Sequence, residues 1–243
     1  LRTVNKEFKT KKGTVHALKN IDFQVKQGDI YGLIGYSGAG KSTLSRLLLR
    51  LYDIESGSIR IDGVDIRQFK QAELRQLLGF SPQEAVLFSG TIRENLQYGK
   101  ADATDDELWH AFKVAQGFDF VSNLPGGLDA RVEQGGSNFS GGQRQRLSIA
   151  RALVTDAKIL VFDDSFSALD FKTDAQLRKA LTPETRDKAV LIIAQRISTV
   201  VDADQILVLE HGQLVGSGTH EELKETNAVY KEIIDSQMRG DEL

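Results

Sequence analysis

The sequence has no cysteine. Disulfides and thiolate metal sites are therefore excluded, and the redox compartment is left open. Long apolar runs are missing as well. No stretch approaches the ~18 residues that a membrane-spanning helix needs, and no signal peptide is visible. Neither sign of charge dominates: 31 Lys and Arg stand against 34 Asp and Glu, a formal net charge of -3. That balance gives no general reason to expect nucleic-acid binding. Internal repeats, low-complexity tracts and obvious linkers are absent too. The chain opens at Leu1 rather than at methionine, so a processed product or a fragment of something longer is expected. What remains is ordinary globular material, 40% hydrophobic and 27% charged over 243 residues. That length is within reach of a single α/β domain carrying an insertion.

Strand-like segments with β-branched residues recur at Ile21–Val25, Ile30–Ile34, Ser58–Ile61, Lys158–Phe162, Ala189–Ala194, Gln205–Leu209 and Gln213–Ser217. Helical patterns lie between several of them, at Lys41–Leu51, Gln71–Leu78, Asp105–Ala115, Gly141–Val154, Thr173–Leu181 and Val229–Gln237. Thr104 ahead of Asp105, Asp106 and Glu107 predicts a helix start, because acids favour the positive end of the helix dipole. The alternation predicts a parallel α/β core. Residues 85–155 hold helical signals and no convincing strand, so a helical insertion is expected there. A hairpin is expected to turn at His211-Gly212. The charge-rich end, Met238–Leu243, reads as a solvated tail.

The stretch Gly35-Tyr36-Ser37-Gly38-Ala39-Gly40-Lys41-Ser42-Thr43 fits G-x-x-x-x-G-K-[ST]. An apolar strand precedes it and a helix follows. Glycines let main-chain N–H groups converge on phosphate oxygens, and the helix N-terminus adds its dipole. Lys41 would reach the β- and γ-phosphates, and the Ser42 hydroxyl would face Mg²⁺. A Gly-rich turn leading into a helix is the plainer alternative. The spacing, the flanks and the carboxylates downstream favour phosphate. Those carboxylates stand in Lys158-Ile-Leu-Val-Phe-Asp-Asp-Ser-Phe-Ser-Ala-Leu-Asp170, where a buried strand ends in Asp163 and Asp164. In a P-loop protein such a first Asp holds Mg²⁺ directly or through its water shell. Capping a helix is the other use of an Asp placed there.

Asn138-Phe-Ser-Gly-Gly-Gln-Arg-Gln-Arg-Leu-Ser-Ile-Ala-Arg-Ala-Leu153 carries a family resemblance. Phe139–Gln143, FSGGQ, resembles the signature motif of ABC ATPases, usually LSGGQ. Followed by RQRLSIARAL and placed well downstream of a P-loop, it is a specific match, and the likeness covers essentially the whole chain. The resemblance implies a P-loop NTPase (RecA-like) core of α/β class with an antiparallel β subdomain and a helical insertion. The core would comprise residues 1–84 and 156–243, and the helical signature subdomain residues 85–155. It implies ATP and Mg²⁺ as ligands, with hydrolysis to ADP and phosphate. Ser140, Gly141, Gly142 and Gln143 would face the γ-phosphate bound to a second subunit. Gln83, in Phe80-Ser-Pro-Gln83, resembles the glutamine that touches Mg²⁺ and the attacking water and senses the transmembrane partner. Ser167–Asp170 resembles the loop that crosses the dimer interface. Phe8 lies where the family stacks an aromatic on adenine, although a Phe near a chain start is equally at home in a core.

Two positions depart from the family pattern. Asp164 falls where the family has a glutamate general base, and it is one methylene shorter. A misplacement of ~1 Å at a reacting group costs on the order of 100-fold. Gln195 falls where the family has a histidine on the γ-phosphate; it donates a hydrogen bond but carries no proton charge. Slow hydrolysis with intact MgATP binding is the expectation. The intact signature beside a poor catalytic half resembles one subunit of a heterodimeric ABC exporter. That likeness implies a second nucleotide-binding domain with a competent site, transmembrane domains, and a place on the cytoplasmic side of the cell membrane, the isolated domain being soluble. Leu44–Ile61, Val86–Asn95 and Val132–Gln143 are also exporter-like. Residues 1–43 instead resemble the ATPase of methionine importers. Natural divergence and deliberate recombination both account for that division, the second placing a junction near the P-loop helix. The competing functions are the ATPase subunit of a methionine-type ABC importer, an engineered chimeric nucleotide-binding domain with no transport role of its own, a non-catalytic ATP-binding module, and a soluble ABC protein of DNA repair or translation. The last usually carries coiled-coil insertions or a second ATPase unit, and neither is visible here.

Overall fold

The computed structural model describes residues 1–11 and 13–240. Part of the expected tail, residues 241–243, lies outside them. In chain order the elements begin with β1 (Arg2–Thr10), β2 (Gly13–Ile21), β3 (Ile30–Ile34), α1 (Lys41–Leu48), β4 (Ser56–Ser58), β5 (Arg60–Ile61), β6 (Val64–Asp65) and α2 (Gln71–Gln76). Next come β7 (Leu78–Ser81), β8 (Gly90–Thr91), α3 (Ile92–Gln97), α4 (Asp105–Val114), α5 (Phe118–Ser122), β9 (Arg131–Val132), α6 (Gly141–Leu153), β10 (Ile159–Asp163) and α7 (Phe171–Glu184). The chain closes with β11 (Ala189–Ala194), α8 (Ile197–Val200), β12 (Gln205–Glu210), β13 (Gln213–Gly218), α9 (His220–Thr226) and α10 (Ala228–Gly240). They fall into two compact units, Leu1–Arg75 with Val190–Leu243, and Gln76–Ala189.

In the first unit β3 runs parallel between β11 and β12, with β13 antiparallel on β12. The three parallel strands are almost wholly buried, which is why they read as apolar runs rather than as alternation. Gly32 of β3 lies against α8. A Cβ there would come within 2.6 Å of the Val200 Cβ, so only glycine lets strand and helix approach so closely. The hairpin from β12 to β13 turns at His211 and Gly212, both at positive φ (47° and 80°), as expected. A separate antiparallel sheet of order β2-β1-β4 supplies the expected β subdomain.

The strand expected at Ile21–Val25 does not form beyond Ile21. Val4↔Ile21 is the ladder's terminal pair. Thr3 turns into the left-handed region, and its N–H bonds the Asp22 carboxylate at 3.3 Å instead of a strand carbonyl. The expected Ser58–Ile61 strand is broken into β4 and β5. The helix expected to Leu51 stops at Leu48, where Arg50 adopts φ 52°. The helix expected to Leu78 stops at Gln76.

That last difference has a physical cause in the second unit. The Leu77 carbonyl accepts from the Lys158 and Ile159 amides, both at 3.0 Å, and residues 78–81 then pair in parallel with β10. Tertiary pairing overrides the helical period. Between residues 85 and 155 the backbone is mostly helical, with one two-residue pairing of β8 with β9 that the sequence pattern did not announce. The loop entering α3 is fastened by buried Asn95. Its Oδ1 accepts from the Phe88 amide at 2.9 Å, and its Nδ2 donates to the Phe88 and Thr91 carbonyls at 2.8 and 2.9 Å. Thr104 caps α4 as expected, in a reciprocal box with Glu107. Among the described residues no helix is long and apolar enough to cross a membrane.

Candidate functional site

Residues 35–43 form the turn and first helical residues after β3. Gly38 and Gly40 take φ of 80° and 107°, and Gly40 occupies the N-cap of α1 with no side chain serving the helix end. The first N–H groups of a helix lack internal acceptors, so the α1 N-terminus offers them outward. A side chain at Gly40 would also strike the Ala17 carbonyl, at 2.5 Å. Lys41 is buried; its Nζ donates to the Gly35 and Tyr36 carbonyls at 2.5 and 3.0 Å, which folds the ammonium over the loop. Tyr36, Ser37 and Gly38 are exposed, while Ala39 is buried and Ser42 and Thr43 are half-buried. Main-chain donors, a lysine and a hydroxyl in one turn have the chemistry that a polyphosphate with Mg²⁺ requires.

Elsewhere in the first unit Phe8 is half-buried on β1. Its ring meets Tyr52 edge-on at 5.1 Å, and Lys6 Nζ sits 5.2 Å from its centroid. Gln195 follows β11 with an exposed side chain. Its carbonyl accepts from Gln237 Nε2 at 2.6 Å.

In the second unit β10 ends on Asp163, followed by Asp164, and both carboxylates are buried. Asp164 stands at φ 50°, the left-handed region that Asp tolerates better than most residues. Gln83 Nε2 donates to Asp164 Oδ2 at 3.0 Å, so two residues singled out separately in the sequence are brought into direct contact. Ser167 Oγ donates to the Asp164 carbonyl at 2.8 Å and tightens the turn. The next residue, Ser165, donates to the Ser81 carbonyl at 2.7 Å.

Ser140, Gly141, Gly142 and Gln143 open α6. The Gln143 amide donates to Ser140 Oγ at 3.2 Å, and the Ser140 amide donates to Gln143 Oε1 at 2.9 Å. The serine oxygen is used as an acceptor, which leaves its O–H proton available to an outside acceptor. A Cβ on Gly141 would meet nothing closer than 4.0 Å, so its face of the helix start is open. Phe139, where the family motif has leucine, is buried with its ring 6.4 Å from that of Phe120.

Several residues in contact with these positions or their neighbours carry no local sequence signal. Gln145 is buried and donates to the Pro82 carbonyl at 3.0 Å, tying α6 to the main chain just before Gln83. Arg146 Nη1 donates to the Gln116 carbonyl at 2.8 Å and its guanidinium lies 4.7 Å from the Phe120 centroid; burial holds its pKa below the ordinary arginine value. Tyr52 and Gln237 belong to the same group. Their contacts lie far along the chain, and no spacing announces them.

The family model described as ABC transporter matches residues 18–167. An uncharacterized ABC transporter ATP-binding protein of Bacillus subtilis is 46% identical over 221 residues, 91% of this chain and 38% of that protein. A putative multidrug export ATP-binding/permease protein of Staphylococcus aureus is 42% identical over 220 residues, 90% of this chain and 38% of its own length. Among solved structures, a bacterial Atm1-family ABC exporter with ATP bound superposes with a TM-score of 0.91 at 38% identity, covering 97% of this chain and 41% of that one. The chain thus spans well under half the length of these relatives.

Proposed function

This chain belongs to the ABC transporter family, as an ATP-binding domain of the P-loop NTPase fold, and we propose that it is the weakly hydrolysing half of a heterodimeric exporter's ATPase pair. The observation that carries this reading is the pairing of a complete phosphate loop with Asp164 and Gln195 at the two positions where the family places glutamate and histidine. The exporter named among the solved structures, and the putative multidrug exporters among the relatives, support the direction of transport. The core is assigned to residues 1–84 and 156–243, and the signature-bearing subdomain to 85–155.

In this reading the main-chain N–H groups of Gly38–Thr43 and the Lys41 ammonium hold the ATP phosphates. By the family resemblance Ser42, Asp163 and Gln83 would hold Mg²⁺, which when bound would neutralise charge on the phosphates. Phe8 stacks on adenine, and Gln195 donates to the γ-phosphate. Asp164 is the base toward water. Its arm is one methylene shorter than the glutamate of the family pattern, and its Oδ2 already accepts a bond from Gln83 Nε2. Gln195 supplies a hydrogen bond without positive charge, so charge developing on the phosphoryl oxygens is less well met. Ser140–Gln143 complete the site of the partner, which hydrolyses while this chain holds MgATP as a clamp. The pair works on the cytoplasmic side of the membrane beside transmembrane domains.

The test compares MgATP binding and steady-state turnover in the unmodified chain and in Asp164→Glu/Gln195→His. Both proteins are expected to bind MgATP, with turnover well above background only in the double variant. Equal turnover in the two would overturn the degenerate-site reading and leave a homodimeric motor as the better description.

A further inference from the structure

The main chain after β11 passes through Gln195 and Arg196 and enters α8. Arg196 occupies the N-cap in extended backbone, and no local side chain serves the helix end. The first N–H groups of that helix need acceptors from elsewhere, and Ile197 is buried. The acceptor comes from 40 residues further on, where Gln237 Oε1 receives the Ile197 N–H at 2.9 Å. The other end of the same amide, Nε2, donates to the Gln195 carbonyl at 2.6 Å. One side-chain amide therefore grips the main chain on both sides of Arg196, as a neighbouring strand would grip it. Gln237 is itself held in place. Tyr230 and Ile233 lie on the same face of α10, at helical spacing from Gln237, and both are buried. At the start of the helix the Asn227 carboxamide accepts from the Tyr230 amide at 2.8 Å and donates to the Val215 carbonyl at 2.9 Å. Both ends of the inward face of α10 are thus pinned to main chain.

We propose that Gln237 is a positioning residue for ATP turnover, fixing the main chain at Gln195 and so the direction in which residue 195 presents its side chain. The proposal rests on the reading of Gln195 as a γ-phosphate contact. The glutamine amide offers a donor and an acceptor on two atoms of one carbon at this length, which an ionised carboxylate does not. Gln237→Met keeps the length and loses both bonds. Gln237→Glu keeps the acceptor for Ile197 and sets a carboxylate oxygen against the Gln195 carbonyl. A contact through the main chain should persist with either glutamine or histidine at position 195.

The experiment adds Gln237→Met, and separately Gln237→Glu, to the 243-residue chain carrying Asp164→Glu/Gln195→His, where turnover is expected to be measurable. Amide hydrogen exchange and steady-state ATP kinetics are read on the same samples. The expected result is exchange at Ile197 at least tenfold faster with Gln237→Met, unchanged exchange in β3 and β12, a several-fold lower kcat, and an unaltered KM for ATP. Gln237→Glu should protect Ile197 yet still lower kcat. In an Asp164→Glu/Gln195→Ala chain, adding Gln237→Met should lower turnover no further. Unchanged exchange at Ile197, unchanged kcat, or an equal loss of turnover without a side chain at 195 would each overturn the proposal. If Gln195→Ala by itself leaves the turnover of Asp164→Glu untouched, the assignment of Gln195 to the γ-phosphate fails, and the exchange result still reports separately on the grip.

Discussion

The side-chain amide of Gln83 donates a 3.0 Å hydrogen bond to Asp164 Oδ2. A residue expected to sense metal and partner is thus in direct contact with the residue expected to act as base. Removing the amide would free the carboxylate from this bond and, on the proposed reading, take one ligand from Mg²⁺. In the Asp164→Glu/Gln195→His chain, Gln83→Ala is expected to lower kcat on the order of tenfold or more, and to weaken binding of MgATP more than binding of ATP without metal. Isothermal titration beside a phosphate-release assay separates the two.

Asp164 holds φ 50°, a conformation that Asp adopts more readily than Glu. Asp164→Glu should therefore destabilise the fold by up to about 1 kcal/mol, a fall in Tm of about 2–4 °C for a domain of this size, while turnover rises. Calorimetry on Asp164→Glu, with Asp164→Asn as the control that tolerates the same backbone, checks it.

Ser140 caps α6 through a reciprocal box with Gln143. Ser140→Ala is expected to cost about 1 kcal/mol of stability from the lost cap. In the proposed heterodimer the substitution should lower hydrolysis at the partner's site, where the hydroxyl and the first amides of α6 would face the γ-phosphate. Ser140→Asp would restore the cap but present a negative charge to phosphate. Stability should return while partner turnover stays low, a combination that denaturation and ATPase assays resolve.

Tyr230 is fully buried, and its hydroxyl lies 2.9 Å from His220 Nδ1; burial pushes the phenol up to about 12. Tyr230→Phe should cost about 0.5–1.5 kcal/mol. Because α10 carries Gln237, the same variant is expected to speed exchange at Ile197 modestly, which hydrogen exchange can read.

Acid stability should depend on Glu107. The Lys100 ammonium, then the Thr104 amide and hydroxyl, hold its carboxyl down to about 2. A carboxylate depressed in the folded state contributes stability that is complete above its ordinary range near 4.5, and that is lost as pH falls from there toward about 2. The exposure of the group makes the effect small and salt-sensitive. Urea midpoints between pH 5.5 and 2.5 should fall less steeply in Glu107→Gln than in the unmodified chain.

The phosphate loop and the signature were legible because their geometry is written contiguously, with glycines where φ is positive and Ser140 three residues before its capping partner. Buried strands β3, β10, β11 and β12 were legible as apolar runs. β1 was not, because its Asn, Lys and Glu residues lie on a half-exposed sheet and break the apolar alternation. β7 was hidden behind a helical period until pairing with β10 redirected it. The contact of Gln83 with Asp164 spans 81 residues, and that of Gln237 with Gln195 spans 42. Bonds of that reach leave no periodic trace, so the residues were visible but their partners were not.

Four helices, α3, α4, α6 and α9, begin on reciprocal boxes: Thr91 with Glu94, Thr104 with Glu107, Ser140 with Gln143 and Thr219 with Glu222. Each box closes within four residues and requires no distant strand. During synthesis these helix starts are therefore defined as soon as their own few residues emerge. The start of α6 is thus specified by residues that precede β10 and both acids, Asp163 and Asp164, in the chain.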